Sequence, residues 1–227
     1  MDIRMNYLDK GNGEVLILLH GNGEDSTYFS NQIEYFSRFY RVIALDTRGH
    51  GKSPRGVMPF TIGQFASDLY DFMTYMKIDR AHILGFSDGG NIAMVFAIKH
   101  PEMVSSLILN GANMYNSGVK ARVQIPIIIG YRVASLFAKR CKRAKQNAEM
   151  LGLMVNDPNL KVEHLKAIKA KTLVIAGTRD MIKTSHTKLI YRSIKNAKLA
   201  IIKGDHFIAN KNSKDFNRVV RRFLKNI

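Results

Sequence analysis

Cysteine is almost missing from this chain of 227 residues. The single Cys141 excludes an intrachain disulfide and fits a reducing, cytoplasmic setting. Long hydrophobic runs are missing as well. The first twenty residues hold one five-residue apolar run, 15–19, too short for the apolar region of a secretory leader. The longest apolar stretch, 125–137, is broken by Arg132 and falls short of the roughly 20 residues that span a bilayer. Neither export nor a membrane span is expected. Internal repeats and low-complexity segments are also absent.

Acidic residues are scarce: 18 Asp and Glu face 35 Lys and Arg, a formal net charge of +17. Such an excess attracts nucleic acid, anionic lipid or acidic substrates. Here the basic residues are spread along the whole chain, without a homeodomain, zinc-finger or RNP-type signature, so a solvated basic surface is expected and nucleic acid is not an expected partner. His, Cys and acidic residues do not group at metal-ligand spacings, and Gly11-Asn12-Gly13 makes no dinucleotide fingerprint. No metal or cofactor is expected, and oligomeric state is not legible. What is present is an ordinary globular composition, 46% hydrophobic and 23% charged, long enough for one domain with a sizeable core.

Apolar runs of strand length alternate with segments of helical period, which predicts an α/β fold with a mostly parallel central sheet and helices on both faces. Strands are expected at 3–8, 15–19, 42–46, 81–86, 106–110, 172–176 and 199–202; helices at 28–39, 62–78, 91–100, 184–194 and 213–225. Thr61 and Gln64 have the spacing of a capping box. The alternation breaks once, so a core of 1–111 and 171–227 with a helical insertion at 112–170 is expected.

Gly85-Phe86-Ser87-Asp88-Gly89-Gly90 follows the apolar run Ala81-His82-Ile83-Leu84 and precedes a helical segment. It reads as a serine nucleophile on a tight strand-to-helix turn, where the positions two before and two after the serine need minimal side chains. A serine hydroxyl is a weak nucleophile until an oriented base takes its proton. Gly204-Asp205-His206-Phe207 follows the last strand and offers His206; Thr178-Arg179-Asp180 follows the preceding strand and offers Asp180 as the orienting acid. Asp205 is an alternative acid, although its adjacency to His206 turns it away from the imidazole. The end of the strand before the insertion, Asn110-Gly111-Ala112-Asn113, has no carboxylate. His50, His82 and His100 read as structural, and His164 and His186 as surface or insertion residues.

With His20-Gly21-Asn22-Gly23 and Asp46-Thr47-Arg48-Gly49-His50-Gly51-Lys52-Ser53 added, the chain resembles the α/β-hydrolase family along nearly its whole length. The resemblance implies a cofactor-independent serine hydrolase with Ser87, Asp180 and His206 as catalytic residues. It also implies an oxyanion hole from the amides of Asn22 and Asp88, a helical cap at 112–170, and a small carboxylic ester as substrate. Carbon–carbon bond hydrolases, perhydrolases and non-catalytic receptors share this scaffold, whereas a halide-displacing enzyme needs a carboxylate where Ser87 stands. Asp88 is the least generic residue of the turn. Serine followed by Asp-Gly-Gly resembles hydrolases of amino-acid esters, in which the acid binds the substrate ammonium. The alternative is that Asp88 pairs with a protein Arg or Lys, or bonds locally at its helix start. A helix over 123–138 is expected to cover the pocket with Ile, Val, Leu and Phe side chains, its basic end in water. A membrane-surface helix has a similar composition. Cys141, among basic residues, reads as a small packing residue.

Overall fold

The computed structural model describes residues 2–227. Its strands are β1 (Tyr7–Lys10), β2 (Val15–Leu19), β3 (Arg41–Leu45), β4 (Ala81–Phe86), β5 (Val104–Asn110), β6 (Lys171–Gly177) and β7 (Ala197–Ile202). They form one sheet in the order β1-β3-β2-β4-β5-β6-β7, parallel throughout except for β1, which runs antiparallel to β3. The order reverses between β2 and β4, and crevices at such a switch point are where open α/β sheets place their sites. Helices α1 (Ser30–Phe36), α2 (Ile62–Tyr75), α3 (Asp88–Lys99), α4 (Ala121–Phe137), α5 (Lys142–Asn156), α6 (Val162–Leu165), α7 (Thr184–Ser193), α8 (Ile208–Lys211) and α9 (Ser213–Leu224) connect or flank the strands.

The central strands lack polar alternation because both their faces are covered. Ile17, Ile43, Ile83, Leu107 and Val174 pack with Phe65, Leu69 and Phe72 of α2, Ile92 and Phe96 of α3, and Ile190 of α7. Their neighbours in sequence, Leu16, Val42, Leu84, Ile108 and Leu173, pack on the other face with Ile33 and Phe36 of α1 and Phe216, Val220 and Phe223 of α9. Helix α2 starts on Thr61, whose Oγ1 accepts from Gln64 N at 3.1 Å. Only this half of the expected capping box forms, because the Gln64 side chain donates to Asp68 Oδ1 at 2.9 Å instead.

Several element boundaries differ from expectation, and two of the differences are informative. The first strand begins at Tyr7 because β3 ends at Leu45, its partner, and no strand lies beyond it. Upstream, Ile3 and Met5 are buried, and Asn6 N donates to Ser53 Oγ at 2.8 Å. The 28–39 segment divides into a short 3-10 turn, Ser26–Phe29, and α1.

The 46–55 loop that carries the Arg-Gly-His-Gly run is held by buried charge. Asp46 accepts from Ser26 N at 2.8 Å, Lys52 N at 2.9 Å and Asn6 Nδ2 at 2.8 Å. Burial alone raises this carboxyl, but those donors outweigh it and hold it below the usual carboxylate range. Arg48 is fully buried, with Nε and Nη2 donating to Asp68 at 2.7 and 2.6 Å and Nη2 reaching Asp2 Oδ1 at 2.5 Å. Removing one partner leaves buried guanidinium charge uncompensated. Asp68→Ala is therefore expected to lower unfolding free energy by about 3 kcal/mol, read from urea denaturation midpoints at constant slope.

Candidate active site

Ser87 ends β4 and precedes α3 with φ 52° and ψ −118°, a conformation costing about 1–3 kcal/mol for a non-glycine residue. Close backbone contact holds it there. A Cβ on Gly85 would lie 2.2 Å from Gly89 O, and one on Gly89 would lie 2.0 Å from Leu19 O. Both glycines are thus required by space, and the second brings the turn after β2 against the start of α3. Ser87 N donates to Asn110 O at 2.8 Å, tying the turn to β5.

Asp180 follows β6 and His206 follows β7, on the same carboxyl edge. His206 Nδ1 lies 2.7 Å from Asp180 Oδ1, and both side chains are buried. Asp180 also accepts from Ile182 N at 2.9 Å and Gly177 N at 3.2 Å. Burial raises the Asp180 carboxyl, but the His206 hydrogen bond and charge with these two amides win and lower it. Acceptance by Asp180 puts the imidazole proton on Nδ1, and Nε2 is buried with no hydrogen-bond partner. Asp205 lies apart: its exposed carboxylate pairs with Lys211 Nζ at 2.5 Å and accepts from Phe207 N at 2.9 Å.

The imidazole sits among groups that the sequence did not single out. Phe86 and Phe207 lie beside it with ring centroids at 4.8 and 5.6 Å, and Tyr28 stacks on Phe86 at 4.5 Å. Gly111, at φ 62°, closes the other side: a Cβ there would fall 2.6 Å from His206 Cε1 and 2.8 Å from Nδ1. The signal for Gly111 was its place at the end of β5, noticed only for lacking a carboxylate.

The turn after β2 is braced by two side chains. His20 Nε2 accepts from Thr47 N at 3.0 Å, so Nδ1 donates to Gly21 O at 2.7 Å. Burial pushes this histidine down to about 4, keeping it neutral. Glu24 Oε2 accepts from Gly21 N at 3.0 Å. Burial pushes its carboxyl up to about 7, while the Gly21 amide and the His206 charge pull the other way. Asn22, between them, spends its side-chain amide on Met150 O of α5 at 2.7 Å. Asp88, the first residue of α3, has a backbone N–H without an intrahelical acceptor.

Asp88 is buried, and no Lys or Arg pairs with it among the described residues. Asn91 Nδ2 donates to Oδ1 at 3.2 Å, whereas Oδ2 has no partner. Burial pushes the carboxyl up to about 6, helped by the charge of Asp157 and opposed by the Asn22 and Asn91 amides. Of the two protein-only readings of Asp88, the structure shows the local hydrogen bond and not the cation pair.

Residues 112–170 form α4, α5 and α6. The segment is tied to the site at both sides: Lys120 Nζ donates to Asp180 O at 2.5 Å, and Arg55 pairs with Glu149 of α5 at 2.7 Å. A cleft of about 340 Å³ runs between it and the core, lined by Phe60, Thr61, Tyr131, Ser135, Glu149 and Asp157 among others. Ser87, Asp180 and His206 are not among its lining, whereas Asp157, whose charge raises the Asp88 carboxyl, is. The expected apolar cover is not what α4 supplies. Tyr131, Ser135 and Ala138 face the cleft, and Ile125, Ile129, Val133, Leu136 and Phe137 are exposed. With 3.6 residues per turn the two sets lie on opposite faces. Cys141 is exposed at the α4–α5 turn rather than packed.

The other histidines are occupied. His50 Nδ1 lies 3.1 Å from Thr47 Oγ1, His82 Nδ1 lies 2.8 Å from Ser106 Oγ, and His100 stacks on Tyr70 at 4.4 Å. His164 is exposed and accepts from Lys161 N at 3.2 Å. Of the surface or insertion role expected for His186, the structure shows contact with the insertion: it is buried and its Nε2 accepts from Met114 N at 2.9 Å. No group of three or more His, Cys, Asp or Glu able to hold a metal occurs among the described residues.

The family described as alpha/beta hydrolase fold matches residues 14–131, and that described as serine hydrolase (FSH1) matches residues 77–216. The chain belongs to the α/β-hydrolase family. It is a serine hydrolase of that fold. Human "Serine hydrolase BPHL" is 25% identical over 98% of this chain and 84% of its own length. The 2-hydroxy-6-oxo-6-phenylhexa-2,4-dienoate hydrolase of Comamonas testosteroni is 28% identical over 99% of this chain and 92% of its own. The enol-lactonase of Burkholderia xenovorans LB400 shares the fold with a TM-score of 0.79, at 22% identity over 98% of this chain and 97% of that one.

Ionising Asp88 opposes folding. A carboxyl whose pKa rises from 3.8 unfolded to about 6 folded binds its proton more tightly in the native state, so stability falls as pH rises through that window. At pH above the window the loss is about 3 kcal/mol. For Asp88→Asn, the stability difference from the parent is expected to shift in the variant's favour by about 2 kcal/mol between pH 4 and pH 7. Urea titrations of both proteins across this range measure it, and a pH-independent difference contradicts it.

Proposed function

We propose that the chain hydrolyses small carboxylic esters through an acyl-enzyme, with Ser87 as nucleophile, His206 as base and Asp180 as its orienting acid. The observation that carries this reading is the buried imidazole on the sheet edge shared with Ser87, its Nδ1 engaged by Asp180 and its Nε2 free. Ser87 Oγ attacks the acyl carbonyl as His206 Nε2 takes its proton. The carbonyl oxygen becomes an oxyanion and accepts from the amides of Asn22 and Asp88, each worth about 3 kcal/mol in such sites. The C–O bond then breaks, and the alkoxide leaves with the proton from Nε2. Water, deprotonated by the same nitrogen, attacks the acyl carbon and releases the acid and Ser87. Helices α4 and α5 serve as the cap.

Asp88 selects the substrate in this reading. A carboxylate about 6 Å from an oxyanion opposes it by roughly 3 kcal/mol at an effective dielectric near 20. A protonated amine on the substrate removes that opposition and gives the unpartnered Oδ2 a donor. Asp157, close enough to raise Asp88, adds attraction for the same cation. The site therefore suits an ester bearing an ammonium group near its acyl carbon. A second reading, hydrolysis of a carbon–carbon bond, is favoured by the named activity of the Comamonas relative. The carboxylate of a dienoate meets repulsion from Asp88, which ranks this reading second.

A fluorophosphonate probe is expected to label Ser87 and nothing in Ser87→Ala. Gly111→Ala, which pushes a methyl into the imidazole, is expected to slow labelling about 100-fold while circular dichroism is unchanged. An unlabelled parent protein contradicts the mechanism. For the substrate, an amino-acid ester is expected to exceed its N-acetyl form in kcat/KM by about 10- to 100-fold, the worth of a charge-assisted hydrogen bond. Asp88→Asn should erase the preference. Equal rates on both esters, or turnover of a dienoate with neither ester cleaved, overturns the ammonium assignment.

A further inference from the structure

Helix α4 is built as an amphipathic helix turned outward. It contributes no residue to the packing on either face of the sheet, and its one buried side chain is Gln124. Ile125, Ile129, Val133, Leu136 and Phe137 recur every three or four residues and are between 51% and 77% exposed. In a helix that serves a protein core this stripe faces inward. Beside it, Val133, Phe137, Ala144 and Leu151 line a surface groove of about 680 Å³ between α4 and α5. Contiguous exposed apolar surface of this kind marks an interaction site.

The charge around the stripe states the partner's chemistry. Arg122 lies on the stripe's own face and Arg132 borders it, Lys139 and Arg140 follow in the turn after α4, and Lys142 and Arg143 open α5. All six are exposed. From Met103 to Ala148 the chain contains no Asp or Glu. A second copy seated here would bring two cationic rims together, each on a chain of formal charge +17, and their repulsion opposes it. An anionic lipid surface matches both parts: acyl chains for the stripe and phosphates for the rim, reached by long side chains that snorkel.

We propose that α4, the turn after it and the basic start of α5 dock this protein on anionic membrane surfaces. Leu136 and Phe137 enter the acyl region, and the helix lies in the plane of the interface. The opposite face of α4, with Tyr131 and Ser135, stays on the cleft. This inference is independent of which bond the hydrolase cleaves.

The test is flotation of the full chain with vesicles of three parts phosphatidylcholine to one part phosphatidylglycerol, against pure phosphatidylcholine, at about 0.1 M salt. Binding is expected to the mixed vesicles and to be at least tenfold weaker to the neutral ones. Leu136→Glu with Phe137→Glu should abolish it, and Arg140→Gln, Lys142→Gln and Arg143→Gln together should weaken it about 100-fold. These positions are exposed, so circular dichroism should not change. The chain has no tryptophan, so Leu136→Trp provides a single reporter whose emission should move to the blue on binding. Three results overturn the proposal. One is no binding to the mixed vesicles. Another is binding indifferent to Leu136→Glu with Phe137→Glu, which is diffuse attraction by net charge. The third is a dimer in analytical ultracentrifugation that this double variant dissociates.

Discussion

The contact between the Gly89 backbone and the Leu19 carbonyl is the constraint on which the remaining site geometry rests. It forces β4 to turn sharply into α3, and Ser87 takes the strain of that turn. It also sets the turn after β2 beside the first amides of α3. The strain at Ser87 is sustained by the packing of Leu84 and Ile92 on opposite faces of the sheet. A single backbone approach thereby links core packing to the position of one hydroxyl.

Around that contact the site gathers buried and half-buried titratable groups in different states. His20 is held neutral, Asp180 ionised, and Glu24 and Asp88 near the point where they change state. The difference lies in donors. Asp180 has two amides and an imidazole, whereas Asp88 has only the asparagine amides of Asn91 and Asn22 near it, and its Oδ2 makes no hydrogen bond. A buried carboxylate with few donors is a poor structural element, and that poverty makes Asp88 a candidate for a role outside the folded chain.

Much of this architecture was legible in the chain. Strands without polar alternation, separated by helical periods, gave the doubly covered sheet, because burial on both faces leaves no solvent side to encode. The glycines of the elbow were legible because no other residue fits there. Gly111, Glu24 and Phe86 were not, since their roles depend on which loops meet at the sheet edge, and that follows from topology rather than local pattern. Which of its two expected roles His186 takes was not legible for the same reason: its partner, Met114 N, is 72 residues away. The facing of α4 was not legible because an apolar stripe states only that a surface is greasy, and in the structure it is Tyr131 and Ser135 that face the cleft lined by Phe60.

The α4–α5 hairpin contributes only Leu153 to the buried core. Its remaining positions carry little folding free energy, so substitutions there are tolerated that would unfold the protein if made in β2 or β4. The chain is thus divided by mutational tolerance. The sheet and elbow are locked by packing and preserve the chemistry. Away from its ties to Asn22 and Arg55, change in the hairpin alters what the enzyme meets more readily than what it does.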